Sequence, residues 1–157
     1  MLLEEIRNKK IVIVGLGTEN LQFLQWLKKV VQFKLENIFL ADQQQEGFRE
    51  NLKTKLFKLG FSHKEVVLLL NNLSNGKNYL KILENPEIEW VIKSPGIWSL
   101  SPEFVEFRGR KSPYRVVSSL CFFFEKFRSQ IVAITGTKGK STTSNLTNHI
   151  FSANCSP

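Results

Sequence analysis

Short runs of apolar residues alternate along the chain with segments in which apolar residues recur every three or four positions. The first kind of segment has the length of a buried strand, and the second has the spacing of a helix that covers one face of a sheet. The predicted strands are 11–14, 37–41, 89–93, 114–118 and 131–134. The predicted helices are 19–31, 47–59, 120–127 and 140–151. This order predicts an α/β fold with a Rossmann-like parallel sheet and flanking helices.

Several other segments have weaker patterns. Residues 64–70 contain the run VVLLL, which fits a buried strand and a helix equally well. Residues 71–78 are rich in Asn, Ser and Gly and predict a turn, and 79–83 predict a short helix. Residues 101–107 begin with Ser-Pro-Glu, which is typical of a helix start, and 108–113 read as a polar loop.

The composition narrows the class of protein. The chain has 157 residues, of which 42% are hydrophobic, so we expect one globular domain, or one domain and the start of another. No apolar run approaches the roughly 20 residues that a membrane-spanning helix needs. The charged start MLLEEIRNKK is unlike a signal peptide, so we expect a cytoplasmic protein.

The distribution of charge and the few Cys and His residues argue against nucleic-acid-binding, disulfide-rich and metal-binding proteins. The net charge is +8, but Lys and Arg are mixed with acids and form no dense basic run, so we expect no nucleic-acid partner. Cys121 and Cys155 are too few for a disulfide framework or a zinc site, and His63 and His149 have no partners at metal-ligand spacing. The sequence does not indicate an oligomeric state.

Glycines follow the first predicted strand in the order Gly-Leu-Gly-Thr-Glu-Asn, and a helix begins there. Gly15 and Gly17 fit an anion near a helix N-terminus, although Asn20 stands where the dinucleotide fingerprint has its third glycine. Asp42 ends the second strand, at the position that contacts a ribose in such folds, and an ordinary loop acid is an equal alternative. Glu19 would place a repulsive acid beside the anion.

A turn with Pro and Gly at its centre follows the strand 89–93. Ser94, Pro95 and Gly96 form this turn, which exposes backbone N–H groups at the carboxyl end of a strand. Open α/β sheets bind ligands at that edge, although such a turn is often only a connection.

A phosphate-binding loop is predicted after the apolar run 131–134. The segment Gly136–Thr142 reads GTKGKST and leads into a helix that starts at Lys140. The Lys140 ammonium would reach the β- and γ-phosphates, and the Ser141 hydroxyl would ligate Mg²⁺. The full pattern G-x-x-x-x-G-K-[ST] is not met, because Ile134 stands at its first glycine.

Three motifs in this order resemble the Mur ligase family over essentially the whole chain. They are strand-GLGTEN, VIKSPGI and IVAITGTKGKSTTSNL, and the second points to the members that add D-glutamate. The resemblance implies an ATP-dependent amide ligase of peptidoglycan precursor synthesis. Its substrates would be UDP-N-acetylmuramoyl-L-alanine and D-glutamate, its cofactors ATP and Mg²⁺, and its activated intermediate an acyl phosphate.

The resemblance also implies roles for single residues and for two domains. Residues 1–118 would form the UDP-substrate domain, and residues 119–157 would begin a truncated ATP-binding domain. Lys140 would act on the transferring phosphoryl group and Ser141 on Mg²⁺. The residues implied at the UDP substrate are Gly15, Gly17, Thr18, Asp42, Ser94, Pro95 and Gly96. Those implied at ATP are Gly136, Thr137, Lys138, Gly139, Lys140, Ser141 and Thr142.

Two other functions remain open at this point. The same motifs would also be found in a stand-alone UDP-sugar-binding module with a vestigial ATP loop. A nicotinamide-dependent oxidoreductase accounts for Gly15, Gly17 and Asp42 but leaves GTKGKST unexplained. One predicted strand and one helix follow the first domain, so we expect a fragment that does not catalyse ligation alone.

Overall fold

A computed structural model describes residues 2–97 and 114–154 of the chain. The helix predicted over 101–107, the loop predicted over 108–113 and Cys155 lie outside these described residues.

The chain divides into two compact units, residues 1–126 and residues 127–157. The first unit contains a five-stranded sheet in which every pair of neighbouring strands is parallel, in the order β3-β2-β1-β4-β5. Its strands are β1 Lys10–Val14, β2 Ile38–Asp42, β3 Leu73–Asn75, β4 Ile88–Lys93 and β5 Arg115–Ser118. The predicted Rossmann-like α/β fold is confirmed.

The first unit contains five α-helices among the residues described. They are α1 Leu2–Ile6, α2 Thr18–Trp26, α3 Phe48–Lys58, α4 His63–Asn71 and α5 Ser119–Phe127. A π-helical turn, Leu27–Val31, extends α2, and 3₁₀ turns span Leu35–Asn37 and Tyr79–Glu84. The second unit has a 3₁₀ turn, Arg128–Gln130, and the helix α6, Lys140–Asn154. No helix among the described residues has the length and apolar content needed to cross a membrane.

Two apolar clusters cover the two faces of the sheet. Ile11 and Ile13 of β1 pack on one face with side chains from all five helices, whereas Val12 and Val14 pack on the other face with the Tyr79–Glu84 turn. This alternation arises because successive side chains of a strand point to opposite faces. Both faces are therefore covered, as parallel sheets require.

The helix α5 packs into the core of the first unit. The Phe122 side chain is 1% exposed, and its ring centroid lies 5.1 Å from that of Phe23 in α2. The predicted functional boundary between residues 118 and 119 stays a prediction.

The ambiguous segment 64–70 is helical and belongs to α4. Ser62 is its N-cap, and the Ser62 and Glu65 side chains form a capping box with each other's backbone N–H groups. The pattern Ser-x-x-Glu is a known start signal, which could have decided the assignment from the sequence.

Two predictions of local structure were wrong. The segment 71–78 contains a strand, β3, because Leu73–Asn75 pairs with β2 despite its polar composition. Residues 131–134 form no strand, and the Val132 side chain is 59% exposed. A strand needs a neighbour to pair its backbone groups, and no strand among the described residues pairs with this run.

Candidate functional site

The order of the strands creates a crevice at one edge of the sheet. After β1 the chain adds β2 and β3 on one side, and it then crosses to add β4 and β5 on the other. The strand order therefore reverses at β1, between its neighbours β2 and β4, and doubly wound sheets bind ligands at the carboxyl ends of the strands at such a switch point. A crevice of about 200 Å³ lies there. It is lined by Gly15, Leu16, Gly17, Asp42, Gln43, Gln44, Tyr79, Ser94, Gly96 and Ile97.

Gly15 allows the loops after β1 and β4 to approach each other. Its φ is +80°, and a Cβ at this position would lie 2.8 Å from Ile97 Cδ1 and 3.0 Å from Ser94 Cβ. Its N–H donates to the Ala41 carbonyl at 2.8 Å. A side chain here would conflict with both the backbone conformation and the neighbouring loop.

The Asp42 carboxylate joins the loops after β1 and β2. It is 5% exposed, and its Oδ2 accepts from the Leu16 backbone N–H at 2.6 Å. Its Oδ1 accepts from the Gln44 backbone N–H at 3.0 Å. An ionised carboxylate has about four acceptor positions, and these two hydrogen bonds occupy two of them.

The turn after β4 is held by three hydrogen bonds. Ser94 N–H donates to the Val14 carbonyl at 2.8 Å, and Ile97 N–H donates to the Ser94 carbonyl at 3.0 Å. The Lys93 ammonium donates to the Ile97 carbonyl at 2.9 Å. The turn is therefore anchored to the end of β1 and not only to its own strand.

The helix α2 starts beside the crevice. Gly17 is its N-cap and has extended backbone and no side chain that could cap the first turn. The first N–H groups of a helix have no acceptor within the helix and carry partial positive charge. The Glu19 carboxylate accepts a hydrogen bond from the Ser119 hydroxyl of α5 and does not line the crevice. This acid is thus hydrogen-bonded to α5.

The crevice brings together most of the residues that the sequence assigned to a UDP substrate. Gly15, Gly17, Asp42, Ser94 and Gly96 line it, whereas Thr18 and Pro95 do not. The lining residues that we did not predict are Leu16, Gln43, Gln44, Tyr79 and Ile97. Leu16, Gln43 and Ile97 adjoin predicted residues in the sequence, and Gln44 lies two positions after Asp42. No local signal marks Tyr79, which the 3₁₀ turn brings to the site.

The predicted ATP loop lies in the second unit. Its two glycines have positive φ, +151° at Gly136 and +76° at Gly139, and α6 begins at Lys140. The Lys140 ammonium donates to the Gly136 carbonyl of its own loop, and Thr143 N–H donates to the Gly139 carbonyl at 2.9 Å. The residues from 136 to 142 are all exposed, so their N–H groups and side chains are accessible to a phosphate chain.

The loop suits phosphate better than it suits a metal alone. The described residues contain no group of three or more His, Cys, Asp or Glu side chains that could hold a metal ion. Ser141 is exposed in the first turn of α6 and offers one hydroxyl ligand. Mg²⁺ commonly takes its other ligands from phosphates and water, so this donor set fits Mg²⁺ only together with a bound nucleotide.

The second unit also has a groove of about 470 Å³, between the segment 129–134 and α6. No residue of the predicted ATP loop lines it, and its lining includes Ile131, Val132, Ile134 and Phe151. This groove is therefore separate from the predicted ATP-binding residues.

Comparison with curated proteins shows several similar ligases. The chain is 27% identical over 147 residues to a protein of Alkaliphilus metalliredigens (strain QYMF) named UDP-N-acetylmuramoylalanine--D-glutamate ligase. Proteins of the same name from Clostridium novyi (strain NT) and Geobacter sp. (strain M21) are each 28% identical, over 146 and 150 residues. These matches cover 93–95% of the chain.

The matches confirm the resemblance predicted from the sequence. The chain spans 28–29% of the length of these three relatives. No protein-family model matches the chain. No solved structure gives a significant match.

Proposed function

We propose that this chain belongs to an ATP-dependent ligase that adds D-glutamate to UDP-N-acetylmuramoyl-L-alanine. The observation that carries the proposal is the crevice at the switch point, which gathers Gly15, Asp42 and Ser94, followed along the chain by GTKGKST at the start of a helix. Curated ligases that are similar over 93–95% of the chain support the same function.

In this proposal the crevice takes the nucleotide end of the substrate. Its volume of about 200 Å³ is below the roughly 300–1,000 Å³ of whole-ligand sites, so the sugar and the alanine would extend beyond it. The uncapped N–H groups at the start of α2 would face the diphosphate, and Asp42 would accept from the uracil or the ribose. Gln43 and Gln44 would add amide groups near the same end.

The loop Gly136–Thr142 would hold the phosphates of ATP. Its backbone N–H groups and the Lys140 ammonium would neutralise the transferring phosphoryl group, and Ser141 would provide one ligand to Mg²⁺. When bound, ATP would supply the phosphoryl group that activates the substrate carboxylate for attack by the amine of D-glutamate. Residues 1–118 would then serve the UDP substrate, and residues from 119 onwards would serve ATP.

A stand-alone UDP-sugar-binding module is the second candidate. The observation that favours it is the exposure of the second unit, where residues 131–134 form no strand and Lys140 bonds to its own loop. In that case the chain would bind the UDP compound but not ATP.

Titration calorimetry on the purified chain tests both candidates. We expect binding of UDP and of UDP-N-acetylmuramoyl-L-alanine, with little binding of NAD. Binding of ATP with Mg²⁺ would favour the ligase, and its absence would favour the module. Binding of NAD without binding of either UDP compound would overturn both.

A matched pair of variants locates the binding. Gly17→Leu should block the crevice without unfolding the chain, because a Cβ at Gly17 has no atom within 4 Å and its backbone is extended. Lys58→Leu places the same side chain at an exposed position at the end of α3 and should leave UDP binding unchanged. Equal affinity of the two variants for UDP would place the ligand elsewhere.

A further inference from the structure

The Asn20 side chain ties the start of α2 to the end of β1. It is 0% exposed, and its Nδ2 donates to the Val14 carbonyl at 3.1 Å and to the Gly15 carbonyl at 2.8 Å. In dinucleotide-binding folds a glycine at this position allows close packing of helix and strand. Here a longer side chain connects the two elements by hydrogen bonds.

The orientation of this amide is determined by its surroundings. The opposite orientation would place Oδ1 against the carbonyl oxygens of Val14 and Gly15, which cannot donate. In the observed orientation Asn20 Oδ1 is buried and has no donor among the described residues. A buried acceptor without a donor is destabilising. The contribution of Asn20 therefore lies in its two bonds to the loop carbonyls and not in a fully satisfied core contact.

Asn20 and Asp42 hold opposite ends of one peptide group. The carbonyl of Gly15 and the N–H of Leu16 belong to the same planar unit. Asn20 donates to the carbonyl, and Asp42 accepts from the N–H at 2.6 Å. Because the peptide is planar, fixing both ends fixes its rotation and hence the direction in which the chain enters Leu16, the residue before Gly17.

We propose that Asn20 is a positioning residue for the crevice. Together with Asp42 it sets the plane of the Gly15–Leu16 peptide and thereby the direction of the N–H groups at Gly17 and Thr18. These groups are the ones available to a diphosphate, because Leu16 N–H is already bound to Asp42. The ligand in this inference rests on the proposed function, whereas the effect on the loop does not.

Amide exchange and UDP titration of Asn20→Ala test the inference. We expect faster hydrogen exchange at Leu16, Gly17 and Thr18, measured by nuclear magnetic resonance. We also expect affinity for UDP to fall about tenfold, which corresponds to about 1.4 kcal/mol. Gln25→Ala is the matched control, since Gln25 lies on the same helix and its Nε2 donates to the Leu59 carbonyl at 2.7 Å, away from the crevice. It should change neither quantity.

The outcomes separate this inference from the proposed function. Unchanged exchange at Leu16–Thr18 in folded Asn20→Ala would overturn the positioning role, whatever the chain binds. Absence of UDP binding by the wild-type chain would overturn the UDP ligand, and exchange would still decide on Asn20. If Asn20→Ala does not fold, hydrogen exchange of the wild-type chain tests the positioning role instead. Slow exchange of the Asn20 side-chain amide protons supports the role, and exchange at the rate of a free amide overturns it.

Discussion

Ile97 occupies the space that a side chain on Gly15 would need. Its Cδ1 lies 2.8 Å from the position of a Cβ on Gly15, whose φ is +80°. The loop after β1 and the turn after β4 are therefore in direct contact, and the shape of the crevice depends on this glycine.

Gly15→Ala should destabilise the first unit by about 2 kcal/mol or more, because it adds strain at positive φ to a steric clash. Chemical denaturation measures the change. Gly17→Ala is the matched control, since its backbone is extended and no atom lies within 4 Å of the added Cβ. Adding Ile97→Ala to Gly15→Ala should restore part of the loss, namely the part due to the clash. Equal stability of Gly15→Ala and Gly17→Ala would contradict this account.

Asp42→Ala should lower the free energy of unfolding by about 1–3 kcal/mol, because it removes the acceptor of the Leu16 N–H and the Gln44 N–H. Glu46→Ala removes a carboxylate from the same loop, but that side chain is exposed, so it should have almost no effect. Denaturation curves of both variants give the comparison. A loss of similar size in both would show that the effect of Asp42 comes from net charge.

Stability should depend on pH through Glu65. Partial burial raises the pKa of this carboxyl, but hydrogen bonds from Lys28 and from Ser62 outweigh it and lower the pKa below its usual value of 4.5. A depressed pKa stabilises the fold at pH values above 4.5, and this contribution is lost as the pH falls through the pKa of the folded state. The stability difference between the wild type and Glu65→Gln should therefore shrink on acidification.

Denaturation from about pH 7 to about pH 3 measures this difference. Glu50→Gln is the control, because Glu50 pairs with Lys53 at 3.5 Å and its side chain is 78% exposed, against 27% for Glu65. Exposed pairs contribute little, so Glu50→Gln should track the wild type at every pH. A pH-independent gap for Glu65→Gln would exclude the carboxylate as its cause.

Lys140→Ala should weaken binding of ATP with Mg²⁺ by about tenfold to a hundredfold, because a charged hydrogen bond to phosphate is lost. UDP binding should stay unchanged, since Lys140 is not among the residues that line the crevice. Lys77→Ala removes an exposed cation from the first unit and controls for net charge. Calorimetric titration with each nucleotide measures both affinities. Equal ATP affinity of the two variants would remove Lys140 from its proposed role.

Local sequence was sufficient to predict the helices and strands that have strong hydrophobic patterns. The run 11–14 predicted β1, and the periodic segments predicted α2, α3 and α5 to within a few residues. The glycines after β1 and the acid after β2 were recognisable because special backbone geometry and strand ends leave clear residue preferences. These signals act over a few residues, so they can be read without knowing the fold.

Long-range pairing decided what the local patterns could not. Leu73–Asn75 became a strand because β2 offered an edge to pair with, and the apolar run 131–134 did not because it has no partner strand among the described residues. A strand is stabilised by its neighbours, so its own residues do not determine it.

The candidate site shows the same contrast between what local sequence predicts and what long-range contacts decide. By itself the sequence determined which chemical groups are available: the glycines after β1, the Asp42 carboxylate, and the segment Gly136–Thr142. The tertiary structure alone decided that Asp42 accepts a hydrogen bond from the Leu16 N–H and that Asn20 donates to the carbonyl of the same peptide group. It also decided that Tyr79 lines the crevice. These contacts join residues that lie far apart in the chain or on different elements, and only the packing of the sheet brings such groups within hydrogen-bond distance.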